Sequence, residues 1–436
     1  MSSDNSRSAA LRALERCRRN GTWSGAAIDS VINEYGLNGK AKSLAVSICL
    51  GVLQNMTLCD HYIDSFSNTA KIEPKVRDIL RISVYQLIFM DRIPASAAVN
   101  EGVALCKKLG YSRASGFVNA VLRRIADNIG DLPEIPGHGT AKYLSVRYSH
   151  PEWLADELIK SHGFEFAEGF LAANNTAPDI NLQVNTTKYN SDDCLEAIIA
   201  AGFDAKMHEW QKDDIVVKGS VTQMPGFSDG AFYVQDAAAK EAVLIAGINP
   251  GMRVLDACAA PGGKSFAAAV CMNNEGYVLS CDISEKKLAL IESGAKRLGL
   301  SIIEVKAADA RCPYDDEYDV VLADVPCSGY GVIRKKPEIR RKQQNEREGL
   351  PAIQSAILSN LARSVKPGGV LIYSTCTVFR EENEYVVKAF LNDNKDFCTE
   401  EFTLSDGKHV SDGMYTFWPH IDGTDGFFVS KLRRIK

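Results

Sequence analysis

The sequence predicts a multidomain protein: an all-α front third, a small α+β middle lobe, and an α/β domain built on a mostly parallel, doubly wound sheet. Three observations carry this. Apolar residues recur at helical spacing up to about residue 127, and Pro and Gly then break every periodicity between residues 130 and 139. After residue 250, short apolar runs ending in Asp alternate with helical stretches. At 436 residues the chain can bury two or three cores, and 45% hydrophobic against 24% charged residues is the balance of a soluble globular protein.

In the front region Val76, Ile79, Leu80, Ser83, Val84, Leu87 and Ile88 fall at i, i+3, i+4, i+7 and form one apolar helical stripe. Pro94 separates it from a run at Ala97–Leu109, and a third follows through Phe117, Val118, Val121, Leu122 and Ile125. Arg123 and Arg124 end that helix, where they either neutralise its carbonyls or meet a phosphate backbone. Residues 1–140 hold 17 Lys/Arg against 13 Asp/Glu, so a net charge of +4 sits on a remainder of -9. A basic module on an acidic body suits a local phosphate-binding surface or a solvated face.

The boundary falls in the Pro/Gly-rich text between Gly130 and Gly139, giving a division into residues 1–140, 141–235 and 236–436. In the middle lobe Trp153–Ile159 and Cys194–Ala201 read as helices, and Ile180–Val184 and Ile215–Val217 as strands. No chemical motif lies there. It serves as a packing adaptor or contacts a nucleic acid, and composition does not rank the two.

The longest uncharged run, Ser43–Cys59, contains Ser, Gln, Asn and Thr and falls short of the ~20 apolar residues a span needs. The N-terminus lacks the charged-then-apolar pattern of a signal peptide, so a cytoplasmic protein with no membrane partner is expected; a monomer is expected too, though no residue pattern fixes it. Twelve cysteines are scattered without C-x-x-C or Cys/His ligand spacing, which argues against a metal site and for reduced, buried thiols.

The chemistry concentrates after residue 250. Val254 and Leu255 lead into Asp256-Ala-Cys-Ala-Ala-Pro-Gly-Gly-Lys264, a buried strand turning sharply toward a helix. With almost no side chains in the turn, its N–H groups and the helix start can approach a polar ligand. A P-loop needs Gly at position 258, where Cys258 stands, and no G-x-G-x-x-G fingerprint is present in this loop. A cofactor without a pyrophosphate fits better. Further strands read at Tyr277–Asp282, Ile302–Val305, Asp319–Asp324 and Val370–Ser374, with a helix at Ser284–Leu298. Asp256, Asp282 and Asp324 end strands and Asp309 lies just beyond one, all at the edge where open α/β sheets bind ligands. Asp282 is placed to bond ribose hydroxyls.

Three motifs occur in order: Asp-Ala-Cys-Ala-Ala-Pro-Gly-Gly-Lys, Asp-Val-Pro-Cys-Ser-Gly around Cys327, and Tyr-Ser-Thr-Cys-Thr around Cys376. They resemble those of the S-adenosylmethionine-dependent RNA cytosine-5 methyltransferases, whose catalytic domain is Rossmann-like. Arg-Ile-Ser-Val-Tyr-Gln-Leu and Ala-Ser-Gly-Phe-Val-Asn-Ala-Val-Leu-Arg-Arg resemble the NusB-like RNA-binding domain. Together they resemble the RsmB-type family acting on bacterial 16S ribosomal RNA, over nearly the whole chain, Asp425-Gly-Phe-Phe included. The resemblance implies that Cys258, Ala259, Ala260, Pro261, Gly262, Gly263 and Lys264 line the S-adenosylmethionine loop. It also implies that Asp282 holds the ribose, Asp309 lies near the adenine, and Asp324 stands where cofactor and base meet.

Two cysteines suit this chemistry. Cytosine C5 is a poor nucleophile until a thiolate adds to C6, and a thiol of pKa ~8.5 is only a few per cent ionised near neutrality. The residues alone leave open which thiol attacks. A Pro-Cys dipeptide carries the nucleophile in DNA cytosine methyltransferases, which favours Cys327. The closer resemblance gives attack to Cys376 and product release to Cys327, with Asp324 facing cytosine N3. Lys264 is either a solvated helix-start residue or a contact to the substrate or Asp324. The basic run Arg334–Lys342 holds six basic residues against one acidic and reads as a phosphate track. An enzyme for another RNA or for DNA, and a non-catalytic RNA scaffold, are the competing readings; intact Asp324, Cys327 and Cys376 argue against the scaffold.

Overall fold

The structure is a computed structural model that describes residues 3–20, 24–69 and 71–436, with the side chains of residues 3, 4, 19 and 20 excepted. The chain divides into two compact units. The first ends at Ala177 and takes in Ile333–Gln343 as well; the second comprises Pro178–Val332 and Gln344–Lys436.

The first unit is helical. Its helices are α1 (Ser3–Asn20), α2 (Ser24–Tyr35), α3 (Gly39–Gln54), α4 (Met56–Phe66), α5 (Pro74–Phe89), α6 (Ala95–Lys108), α7 (Ser115–Asp127), α8 (Ala141–Tyr148), α9 (Glu152–His162) and α10 (Phe164–Ala173). The α5 stripe faces inward as its spacing requires: Val76, Ile79, Leu80, Ser83, Val84 and Leu87 are buried. Pro74 opens this helix, and the Glu73 carboxylate accepts from Val76 N at 3.0 Å. A Cβ on Gly51 would overlap the Tyr85 ring, so glycine lets α3 approach α5 closely. Arg124 donates to the carbonyl of Phe66 at 3.3 Å, ending α4 rather than its own helix. Among the described residues no single helix is long and apolar enough to cross a membrane; α3 and α4 pass only as a pair bent by 79°. Both contribute to the buried core of the helical bundle.

The basic run departs from its reading as a continuous phosphate track. Ile339 is buried, Glu338 accepts from Ser24 N at 2.9 Å and from Ser24 Oγ at 2.7 Å, and Arg340 is only 6% exposed. The Arg340 guanidinium donates to the carbonyls of Gln54, Tyr148 and Asn174 at 2.5, 3.2 and 2.7 Å. Apolar Pro337 and Ile339 pull the segment inward, and the fork geometry of Arg suits several acceptors at once. Of the six cations, Lys336 and Arg341 are exposed while Arg334 and Arg340 are buried.

The second unit opens with β1 (Ile180–Val184), α11 (Ser191–Ala200), β2 (Asp204–Met207), β3 (Asp214–Lys218) and β4 (Phe232–Val234). The strands pair antiparallel in the order β2-β3-β1-β4. This lobe is fastened to the larger sheet domain. Asn185 Nδ2 donates to the Leu298 carbonyl at 2.9 Å, and Arg297 Nη1 to those of Phe227 and Phe232 at 2.7 and 3.0 Å.

The sheet domain follows through α12 (Ala237–Leu244), β5 (Arg253–Asp256), α13 (Gly263–Cys271), β6 (Tyr277–Asp282), α14 (Glu285–Leu298), β7 (Ile303–Ala307) and β8 (Tyr318–Asp324). Then come α15 (Leu350–Leu361), β9 (Val365–Thr375), α16 (Glu384–Asp393), β10 (Phe397–Thr399), β11 (Phe402–Thr403), β12 (His409–Val410), β13 (Met414–Phe417), α17 (Pro419–Asp422) and β14 (Phe427–Arg434). The sheet runs β10-β14-β9-β8-β5-β6-β7 and is parallel from β9 to β7, with antiparallel β14 inserted beside β9. Side chains alternate across it. Val254, Val278, Val320, Leu322 and Ile372 pack toward α12, α13 and α14, while Leu255, Leu279, Val321, Leu371 and Tyr373 pack toward α15 and α16. The chain order reverses between β5 and β8, which opens the crevice of a doubly wound sheet at their carboxyl ends.

Candidate active site

Asp256 closes β5 and is fully buried. Ser265 Oγ donates to it at 2.7 Å, and Ser280 Oγ donates to Ser265 Oγ at 2.7 Å, so a short chain of hydroxyls ties β5, α13 and β6 together. Burial raises its pKa to about 6, against the lowering effect of Ser265 and Lys264. The loop turns over a cis Ala260–Pro261 peptide and reaches Gly262 at φ 116°. A Cβ on Gly262 would overlap the Phe266 ring, and one on Gly263 would press on the Gln235 amide, so the two glycines let the loop pack closely against those side chains. Asp282 ends β6 with its carboxylate fixed by Ala260 N at 3.3 Å and Ser284 N at 2.9 Å. Burial pushes the Cys258 thiol well above its usual range, leaving it a small apolar group. Asp309 sits just past β7, where Arg311 engages it at 2.6 Å and holds its carboxyl below the ordinary value.

A cradle of glycine backbone, an oriented strand-end carboxylate and no phosphate fingerprint suit an S-adenosylmethionine-sized ligand. Of the two readings of Lys264, the structure realises the contact to Asp324: its Nζ donates to Asp324 Oδ2 at 2.6 Å, beneath the Phe427 ring at 5.0 Å, and the residue is 8% exposed. Ser374, opposite Asp324 in the parallel register, donates to Oδ1 at 2.9 Å. Both oxygens of Asp324 are thereby oriented while the side chain keeps 31% of its surface.

The two motif cysteines meet. Cys327, in the loop after β8, and Cys376, directly after β9, lie with their sulfurs 3.2 Å apart and both partly exposed. The Cys327 thiol is pushed well above its usual range, first by its hydrogen bond with Cys376, then by burial and by the fields of Cys376, Glu382 and Asp324. Gly331 N donates to the Cys376 carbonyl at 3.0 Å, and Gly331 packs against Gly426 so tightly that neither tolerates a Cβ.

Sequence reading missed the polar groups behind these loops: Ser265, Ser374, Gln354, Glu382 and Asn383. Ser374 could have been found from its place in Ser-Thr-Cys-Thr, since parallel pairing of two strand ends sets it beside Asp324. Glu382 and Asn383, just before α16, lie in none of the three motifs. Among the described residues no group of three or more His, Cys, Asp or Glu could hold a metal ion.

An open α/β sheet with a glycine loop at its switch point, a strand-end carboxylate on the next strand and a thiol pair beside a Lys–Asp pair defines a class. The chain is an S-adenosylmethionine-dependent methyltransferase of the cytosine-5 kind. A family model described as 16S rRNA methyltransferase RsmB/F matches residues 243–433, the NusB family residues 4–127, and an RsmF/B-like ferredoxin-like domain residues 150–222. The chain is 35% identical over 444 residues to the probable ribosomal RNA small subunit methyltransferase B of Bacillus subtilis, covering 98% of each. It is 31% identical over 442 residues to ribosomal RNA small subunit methyltransferase B of Escherichia coli O6:H1, again 98% of each. The crystal structure of PH0851 superposes with a TM-score of 0.80 at 27% identity, covering 99% of both chains. The chain therefore belongs to the RsmB family of 16S ribosomal RNA cytosine-5 methyltransferases, with a NusB domain at its N-terminal end.

Proposed function

We propose that this enzyme methylates C5 of one cytosine in 16S ribosomal RNA, the counterpart of cytosine 967, through a covalent bond from Cys376 to C6. It acts as a cytoplasmic monomer, with residues 1–140 binding RNA, 141–235 as adaptor and 236–436 catalytic. The observation that carries this reading is the meeting of two thiols at 3.2 Å next to the Lys264–Asp324 pair, at the open ends of β8 and β9.

S-adenosylmethionine, when bound, supplies a methyl group that a carbon nucleophile can take. Residues Cys258 to Lys264 line its loop, Asp282 holds ribose hydroxyls, Asp309 lies near the adenine, and Asp324 stands where it meets the base. Cys376, as thiolate, forms the S–C6 bond, and the C5=C6 electron pair moves toward C5 and the ring. Asp324 faces N3 and holds Lys264 there, whose positive charge stabilises the negative charge that builds on the ring. C5 takes the methyl group. Cys327 then removes the C5 proton, the C–H pair restores C5=C6, and the C6–S electrons return to Cys376. The upward push on the Cys327 thiol supports giving it this later part, because its leading cause is Cys376 itself. With Cys376 bound as a thioether that contribution is removed, while burial and the fields of Glu382 and Asp324 remain; Cys327 acts as the base once its own proton has passed to water.

The test is the species that accumulates. Cys376→Ala should bind RNA and yield neither product nor adduct. Cys327→Ala loses a base contribution of roughly 10²-fold, enough to trap a protein–RNA complex that survives denaturing electrophoresis. The complex should vanish in the double variant. An adduct formed by Cys376→Ala that requires Cys327 would reverse the roles, and bisulfite mapping of ribosomal RNA would identify the nucleotide.

A further inference from the structure

The mechanism leaves unused a buried carboxylate tied to the two cysteine loops. Glu382 is 1% exposed, in the turn between β9 and α16. Its Oε2 accepts from Ser328 N at 2.8 Å and from Gln354 Nε2 at 2.9 Å, and Gln354 Nε2 also donates to the Pro326 carbonyl at 3.0 Å. The residues on either side of Cys327 are thus both tied to one Glu–Gln pair. The next residue does the same for the other thiol. Asn383 accepts from Thr375 Oγ1 at 2.6 Å and donates to the Thr377 carbonyl at 3.0 Å, bracketing Cys376. The hydroxyls of Ser328 and Thr377 meet at 2.8 Å and join the two brackets.

A loop needs no buried carboxylate merely to stay folded, because taking a charge out of water is costly and an uncharged acceptor would serve the Ser328 N–H. Glu382 Oε1 is buried without a hydrogen-bond partner, which adds to that cost. We infer that Glu382 is a positioning residue of the methyl-transfer reaction: through Ser328 and Gln354 it fixes Cys327 at the distance and orientation from Cys376 that proton removal from C5 requires. This rests on the two-thiol reading above. The same carboxylate also adds, behind the Cys376 hydrogen bond and burial, to the field that keeps Cys327 protonated in the resting enzyme.

The experiment uses full-length Glu382→Ala and Glu382→Gln, with thermal melting and S-adenosylmethionine calorimetry as folding controls. Two readouts are taken: steady-state methylation of 16S RNA, and site-resolved alkylation of Cys327 and Cys376 by iodoacetamide, which needs no RNA. Glu382→Ala should keep the RNA KM within about twofold, lose about 10²-fold in kcat and accumulate the denaturation-resistant adduct. The ratio of alkylation at Cys327 to that at Cys376 should change at least about fivefold as the bracket loosens. Glu382→Gln, whose amide oxygen can still accept from Ser328 N, should recover most of the lost kcat. An Ala variant with unchanged kcat and alkylation ratio overturns the inference, as does a Gln variant as impaired as Ala. Should Glu382→Ala fail to fold, Gln354→Ala removes the Pro326 half of the bracket, and an unaltered kcat and alkylation ratio there overturns it equally. Failure of the two-thiol reading shows separately, as methyl transfer retained by Cys376→Ala.

Discussion

The glycine loop at residues 256–264 and the basic run at residues 334–342 each bury a cation to almost the same depth, Lys264 at 8% exposure and Arg340 at 6%. Their partners differ in kind. Lys264 meets a carboxylate that keeps about a third of its surface open, whereas Arg340 meets three main-chain carbonyls and, among the described residues, no anion. Burial lowers the Arg340 pKa to about 9, a shift that a facing carboxylate would oppose. The contrast teaches that burial does not tell a functional cation from a structural one. The partner does: a charge facing an open carboxylate can be redirected to a substrate, while a charge spread over buried carbonyls is committed to holding them.

The comparison breaks first at Arg340. Arg340→Ala leaves the Gln54 and Asn174 carbonyls without this donor, whereas that of Tyr148 keeps Asn175 Nδ2 at 3.1 Å; at about 1–3 kcal/mol for each orphaned group, a total loss of roughly 2–6 kcal/mol is expected. Urea unfolding should show the lowered midpoint, while calorimetry should find S-adenosylmethionine binding unchanged. A loss below about 1 kcal/mol would mean that the three bonds contribute little and that this cation is open to other partners.

Lys264→Ala should invert the pattern. Its partner Asp324 retains Ser374 and can take up water in the vacated space, so stability should move by no more than about 1 kcal/mol. The turnover rate should fall by roughly 10²–10³, the usual cost of losing one group that stabilises developing charge. Single-turnover methylation at saturating cofactor separates this from weakened binding. A variant equally unstable and equally active would place Lys264 with Arg340.

Asp256 sharpens the contrast as a buried group that, among the described residues, has no ion partner within hydrogen-bond reach and is held by Ser265. Its pKa of about 6 lies above the ~3.9 of an unfolded Asp. The folded state therefore binds the proton more tightly. The stabilisation is fully present below about pH 4 and is lost as pH rises through about 6, at most roughly 3 kcal/mol in all. Asp256→Asn should flatten the unfolding free energy across that window. An unchanged slope would assign the pH dependence to other groups, Asp214 of the middle lobe first among them, with its pKa raised by burial to about 7.

The crevice was legible because its chemistry is local in sequence. A strand, a carboxylate, small residues and glycine dictate a backbone path whatever the rest of the chain does, and the α5 stripe is legible for the same reason. What lay hidden depends on remote partners. The aromatic and β-branched start of Phe427–Arg434 suits a strand, yet nothing in those residues says that it enters antiparallel beside β9. Gln354 and Glu382 are ordinary polar residues until folding pairs them beside the Cys327 loop. In the basic run Pro337 and Ile339 were the overlooked signal, since apolar residues inside a charged stretch turn some of its cations inward.

That leaves the two exposed cations of the run, Lys336 and Arg341, as the part on which a phosphate contact can still be tested. Replacing both with Ala touches neither the Arg340 bonds nor the Glu338–Ser24 contact, so stability should hold to within about 0.5 kcal/mol. If each meets a backbone phosphate, binding becomes weaker and less salt-dependent. The slope of log K against log salt should fall by about 0.7 per contact on single-stranded RNA, or up to about 1.4 for the pair. The effect is the smallest expected here, because each lost contact is diluted by the others that the RNA makes, but its signature is specific. Filter binding at four or more salt concentrations reads the slope directly. A parallel line, displaced or not, would mean that no counterion release was lost and that the whole run, not Arg334 and Arg340 alone, serves the fold.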